Sequence, residues 1–87
     1  MIPDEFIEFY YGKYQTLDLH RMTKEDAKAE LIHALGLVDY DVKCLLIVHG
    51  YHSGTVIKNL IRKEFKSPDV QEIINLDAGR TIYLLKK

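Results

Sequence analysis

The sequence predicts an α/β protein, a two-layer α+β sandwich in which a mixed four-stranded sheet of order βαβαββ carries two helices on one face. Three observations lead there. Cys44-Leu45-Leu46-Ile47-Val48 is apolar at every position, as a strand covered on both sides must be. A segment with helical spacing lies on each side of it, which makes the first two strands parallel through right-handed crossovers. Asp77-Ala78-Gly79-Arg80 then reads as a tight turn between two short strands, closing the sheet with a hairpin.

The elements follow in order. Residues 1–15 read as an N-terminal extension containing a short helix from Pro3 to about Tyr11, with Phe6, Phe9 and Tyr10 at helical spacing and Gly12 as its breaker. Phe6, Phe9, Tyr10, Tyr11 and Tyr14 are expected to cover the core. Residues 16–87 form the domain proper. Thr16-Leu17-Asp18-Leu19-His20 alternates, so Leu17 and Leu19 face inward and Asp18 and His20 share the other face. Thr23-Lys24-Glu25-Asp26 resembles a capping box that opens a helix burying Ala27, Leu31, Ala34 and Leu35, with Gly36 as its left-handed terminator. After Cys44–Val48, a second helix starts near Thr55 and buries Val56, Ile57, Leu60, Ile61 and Phe65; its outer stripe carries Lys58, Arg62, Lys63 and Lys66. Ser67-Pro68-Asp69 ends it. Val70 to about Leu76 suits an edge strand, and Thr81 to Leu85 an inner antiparallel one, with Ile82 and Leu84 on one face and Tyr83 on the other.

Composition narrows the class. At 87 residues, with 47% apolar and 29% charged, the chain has room for one core of an ordinary soluble domain. Its longest apolar run is far short of the ~20 residues that cross a bilayer. The start, Met1-Ile2-Pro3-Asp4-Glu5, is acidic where a secretory signal is basic, so a cytoplasmic location is expected. The lone Cys44 reads as a small buried hydrophobe. The net charge of −1 hides an asymmetry: residues 1–41 hold four Lys/Arg against nine Asp/Glu, and residues 42–87 hold eight against four. A dipolar molecule with a basic side follows, or else uneven surface charge.

In an open α/β sheet, ligands bind beyond the carboxyl ends of the parallel strands. Asp18 and His20 close the first strand; His49, Gly50 and His52 close the second. The loop Gly50–Thr55 combines two glycines, Gly50 and Gly54, with the amide groups that open a helix, an arrangement suited to an anion, although no lysine follows as in a Walker A loop. A histidine there fits general acid–base chemistry with a carboxylate to orient it, or a polar residue satisfied at a strand end. Structural zinc is disfavoured, since no Cys/His quartet exists. Magnesium or manganese on Asp18 would have a single carboxylate as its ligand. The fourth histidine, His33, reads as a helix-surface residue.

Leu17-Asp18-Leu19-His20 resembles the LDLH motif that opens Smr (small MutS-related) domains. Val48-His49-Gly50-Tyr51-His52-Ser53-Gly54-Thr55 is similar to the family's second motif in a form two residues longer, and Ala78-Gly79-Arg80-Thr81 to its Gly-x-Thr turn. The resemblance runs over about residues 16–86 and departs at Arg21, where the family usually has glycine. It implies a fold like the C-terminal domain of translation initiation factor 3, DNA or RNA as partner, and, as in several members, endonuclease activity that often uses a divalent metal. It makes Asp18, His20 and His49 the candidate catalytic residues.

Three functional classes emerge. In a nuclease, His20 or His49 moves the proton while Asp18 orients it or holds Mg²⁺ or Mn²⁺, and the loop amides and Lys58 hold phosphate. In a non-cleaving module, Arg21, Arg80 and the Lys58/Arg62/Lys66 stripe follow the nucleic-acid backbone, while Tyr51 and Tyr83 offer stacking faces. In a protein-interaction adaptor, the aromatic N-terminus makes the contact. The loop residues Gly50, His52, Gly54 and Thr55 serve phosphate in the first two.

Overall fold

The computed structural model describes residues 3–50 and 55–86. Its elements are α1 (Asp4–Tyr11), β1 (Tyr14–Asp18), α2 (Lys24–Leu37), β2 (Cys44–Val48), α3 (Val56–Asn59) continued by a π-helical turn (Leu60–Glu64), β3 (Val70–Asn75) and β4 (Arg80–Leu85). The sheet runs β1-β2-β4-β3. β1 and β2 are parallel, and β4 is antiparallel to both β2 and β3, as the sequence predicts. The apolar β2 lies second in the sheet, and the polar β3 forms an edge with a register shift between Val70 and Glu72.

The alternation of β4 divides the core in two. Tyr83 and Leu85 join Leu45 and Ile47 beneath α2 and α3, packing against Leu31, Ile57, Leu60 and Ile61. Ile82 turns to the opposite face with Cys44 and Leu46, where α1 lays Ile7 on them. Thus the two main helices share one face and α1 covers part of the other. Only Ile7 of α1 is buried. The expectation that the N-terminal aromatics cover the core fails for Phe6, Phe9 and Tyr10, which are 46%, 79% and 65% exposed. On an eight-residue helix, one apolar stripe suffices to reach the sheet, and these rings project from the other sides.

Several boundaries follow local chemistry. α1 stops where the Gly12 N–H bonds the Glu8 carbonyl, and Gly12 sits at φ 91 with Lys43 so close that a Cβ would lie 2.9 Å from its Cγ. β1 ends at Asp18 rather than His20, because the Asp18 carboxylate captures the His20 main-chain N–H at 3.1 Å and turns the chain. Thr23 caps α2 by accepting from the Asp26 N–H at 3.1 Å. Gly36 does not end α2: the helix runs on to Leu37, and Val38 leaves it in an extended conformation.

The second helix differs most from expectation. After four residues it widens, and the Phe65 N–H bonds the Leu60 carbonyl five residues back at 2.8 Å. The wide turn keeps Ile57, Leu60, Ile61 and Phe65 inward but leaves Val56 57% exposed. Among the described residues, no helix is long and apolar enough to cross a membrane.

Candidate functional site at the carboxyl ends of β1 and β2

Three segments meet beyond β1 and β2. The Leu19 N–H reaches the Val48 carbonyl at 2.8 Å, extending the parallel pairing by one residue. The chain then turns at His20 and Arg21. At the end of β2, the N–H groups of His49 and Gly50 both donate to the Gly79 carbonyl, at 2.9 and 3.0 Å. The β3–β4 hairpin is thereby fastened to the start of the Gly50 loop. Gly50 takes φ 72, and a Cβ there would lie 3.4 Å from the Cβ of His20. The glycine serves the left-handed backbone and brings the two turns into contact.

His20 and Asp18 form an exposed pair. Asp18 Oδ1 accepts from the ring Nδ1–H of His20 as well as from its main chain, and the two side chains are 47% and 53% exposed. Partial burial acts to raise the Asp18 carboxyl, but the hydrogen bonds from His20 outweigh it and hold the group below its ordinary value. An ionised carboxylate only accepts, so Nδ1 carries the proton. The next residue, Arg21, adopts φ 68 with an exposed side chain. A non-glycine residue pays ~1–2 kcal/mol for that conformation.

His49 stands in the opposite environment. It is 2% exposed, its Nδ1 lies 3.0 Å from the Gly50 carbonyl, and its Nε2 lies 2.8 Å from Thr81 Oγ1. Burial lowers its pKa, opposed by the Gly50 bond and reinforced by the charges of Arg62 and Lys58. Both ring nitrogens are occupied within the chain, so His49 offers no free nitrogen to a ligand.

The basic residues separate likewise. Lys58 is partly buried, near enough to act on His49, and Thr55 is exposed ahead of α3. Arg62 does not belong to a solvent stripe. It donates Nε to Thr81 Oγ1 at 2.7 Å, and Nη2 to the carbonyls of Asp77 and Arg80. Lys66 lies beyond the end of the π-helical turn. Arg80 is 8% exposed and ion-paired with Asp4 at 2.7 Å and Asp77 at 2.8 Å, linking α1 to the hairpin. Tyr83 is buried, donates to the Ile61 carbonyl at 2.6 Å and stacks on Phe65, so it presents no face to a base. His52, Gly54 and Tyr51 lie outside the described residues, with most of the expected anion loop. His33 is exposed on α2. Thr81, at the junction of His49 and Arg62, is a residue that motif reading passed over; its signal was the Gly-x-Thr turn.

Mg²⁺ is commonly held by one or two carboxylates together with waters and substrate phosphates. Among the described residues no group of three or more His, Cys, Asp or Glu could hold a metal, and one Asp18 oxygen is already taken by His20. Asp18, His20 and His49 do not line the cleft of about 540 Å³ that lies between α2 and the π-helical turn.

The sequence model of the Smr domain matches residues 17–79, from Leu17 of the first motif to Gly79 of the hairpin. The chain belongs to the Smr domain family. This Smr domain is also similar in fold to the crystal structure of the Smr domain of Thermus thermophilus MutS2, with a TM-score of 0.67 and 21% identity over 84% of this chain and 99% of that one. No curated protein matches the chain in sequence.

Proposed function

We propose that this Smr domain binds nucleic acid along the edge formed by His20, Arg21 and Lys58 and hydrolyses its phosphodiester bonds with the Asp18–His20 pair. One observation carries the reading: an exposed histidine whose Nδ1 is held by a carboxylate at the carboxyl end of a parallel strand. That is the arrangement in which an imidazole accepts a proton from an attacking hydroxyl and later returns one. Asp18 fixes the tautomer and stabilises the imidazolium as it forms. Arg21 and Lys58 supply positive charge for the phosphate, which a polymer backbone presents without an enclosing pocket. His49, Arg62 and Arg80, expected from the sequence to touch substrate, act instead as internal supports in this reading.

The test incubates the purified chain with labelled single- and double-stranded DNA and RNA, with and without Mg²⁺ or Mn²⁺. Cleavage supports the nuclease. A salt-sensitive mobility shift with no cleavage supports the non-cleaving module.

A further inference from the structure

We propose that Arg62, Thr81 and His49 form a one-directional hydrogen-bond relay that holds the Gly50 turn against His20, with Thr81 as the positioning residue that donates to His49 Nε2. The positioning role deepens the reading of His20 as the proton-transferring group.

The direction follows from which atoms can donate. Arg62 Nε is a donor without acceptor capacity, so its 2.7 Å bond occupies a lone pair of Thr81 Oγ1. The Gly50 carbonyl only accepts, so His49 Nδ1, 3.0 Å away, carries a proton. The neutral ring then has a lone pair at Nε2, 2.8 Å from Thr81 Oγ1, and the hydroxyl proton of Thr81 is the one hydrogen that can fill that bond. The relay thus runs Arg62 to Thr81 to His49 to the Gly50 carbonyl. Moving the ring proton to Nε2 would leave the Gly50 carbonyl facing a lone pair. Among the described residues, no buried side-chain nitrogen or oxygen lacks a partner, in keeping with a relay fully used.

Its last bond matters for the site. Gly50 is held on one side by its N–H to the Gly79 carbonyl at 3.0 Å and on the other by the His49 ring, and it packs beside the His20 Cβ. A free Gly50 carbonyl would let the turn rotate about its φ of 72 and shift the surface on which His20 rests. Neither Thr81 nor Arg62 serves as a binding group: Thr81 is fully buried and Arg62 is spent on the hairpin.

The experiment records ¹⁵N and ¹³C spectra of the histidine rings in the wild-type chain, Thr81→Val and Thr81→Ser, beside thermal melts and single-turnover cleavage. The expected wild-type His49 carries its proton on Nδ1. Thr81→Val, close in shape but without the hydroxyl, takes the donor from His49 Nε2 and the acceptor from Arg62 Nε; it is expected to shift the His49 and His20 ring signals and to slow cleavage ~10- to 10²-fold as a displaced catalytic group does. Thr81→Ser restores all three. A wild-type His49 protonated on Nε2 overturns the relay, even if Thr81→Val fails to fold. A folded Thr81→Val with unchanged His49 and His20 signals overturns it as well. A wild-type chain that cuts no nucleic acid overturns the proposed nuclease, while the ring spectra still decide the relay.

Discussion

Arg62 reaches inward from the π-helical turn to Thr81, 2.7 Å from the hydroxyl, while Lys58, four residues earlier on the same helix, stays at the site edge. Two cations that look equivalent by spacing therefore do different work. Arg62→Ala removes three hydrogen bonds to the hairpin, at Thr81 Oγ1 and at the carbonyls of Asp77 and Arg80. It is expected to lower stability by ~2–4 kcal/mol, since bonds from a charged donor contribute ~1.5–3 kcal/mol each before relaxation. Lys58→Ala is expected to leave the melting temperature nearly unchanged and to reduce the salt slope of nucleic-acid binding by about one. Denaturant titrations and binding isotherms at several salt concentrations separate the two.

Arg21 supplies an independent check on the edge. Arg21→Gly relieves the left-handed strain at φ 68 and is expected to stabilise the fold by up to ~1 kcal/mol, less the backbone entropy that glycine adds to the unfolded chain. The same change removes a proposed phosphate contact, so affinity should fall as the melting temperature rises. A variant that is both more stable and equally tight would release Arg21 from any binding role.

The pH dependence of stability reports on His49. Its folded pKa lies below the ordinary 6.5, so just below pH 6.5 the unfolded chain takes up a proton that the folded chain refuses. Stability contributed by the neutral buried ring is complete above 6.5 and is lost as pH falls towards the folded value. The lowered Asp18 and Asp77 act in the same sense only at more acidic pH, where carboxylates titrate. Melts between about pH 5 and 7 are expected to show a decline that His49→Gln removes. A decline that survives the substitution assigns the effect elsewhere.

Ile7 is fully buried on the face of the sheet opposite α2 and α3. Ile7→Ala is expected to cost ~2–5 kcal/mol, as truncation of a packed aliphatic side chain does. The measurement tests whether residues 1–15 are an appendage, as their separate description in the sequence suggests, or part of the core; a loss under ~0.5 kcal/mol would support the appendage.

What could be read from the residues depended on whether a local pattern or a distant partner decides the outcome. β2 declares itself because every one of its side chains is apolar, and Thr23 announces α2 because a cap needs only its own three successors. Asp18 and His20 also pair locally, two residues apart, so their meeting was legible. Arg62, Arg80 and His49 were not. Each is polar and reads from the sequence as a solvent or ligand group, yet each has a partner 15 to 76 positions away that draws it inward. The π-helical turn belongs with them, because its Arg62 is bonded to the hairpin while the residue spacing around it reads as an unbroken helix. Phe6, Phe9 and Tyr10 erred the other way, since helical spacing of aromatics does not say which stripe meets the sheet.

The most direct test of the proposed chemistry is the single-turnover cleavage rate of His20→Ala beside the wild-type chain, with affinity and melting temperature measured on the same samples. If His20 transfers the proton and Asp18 orients it, the rate falls ~10²- to 10⁴-fold while affinity and melting temperature hold. Asp18→Asn should show a smaller loss of the same kind. A His20→Ala protein that cuts at the wild-type rate would contradict the Asp18–His20 mechanism, and one that melts early and binds poorly would make the pair a structural fastening of the β1 turn.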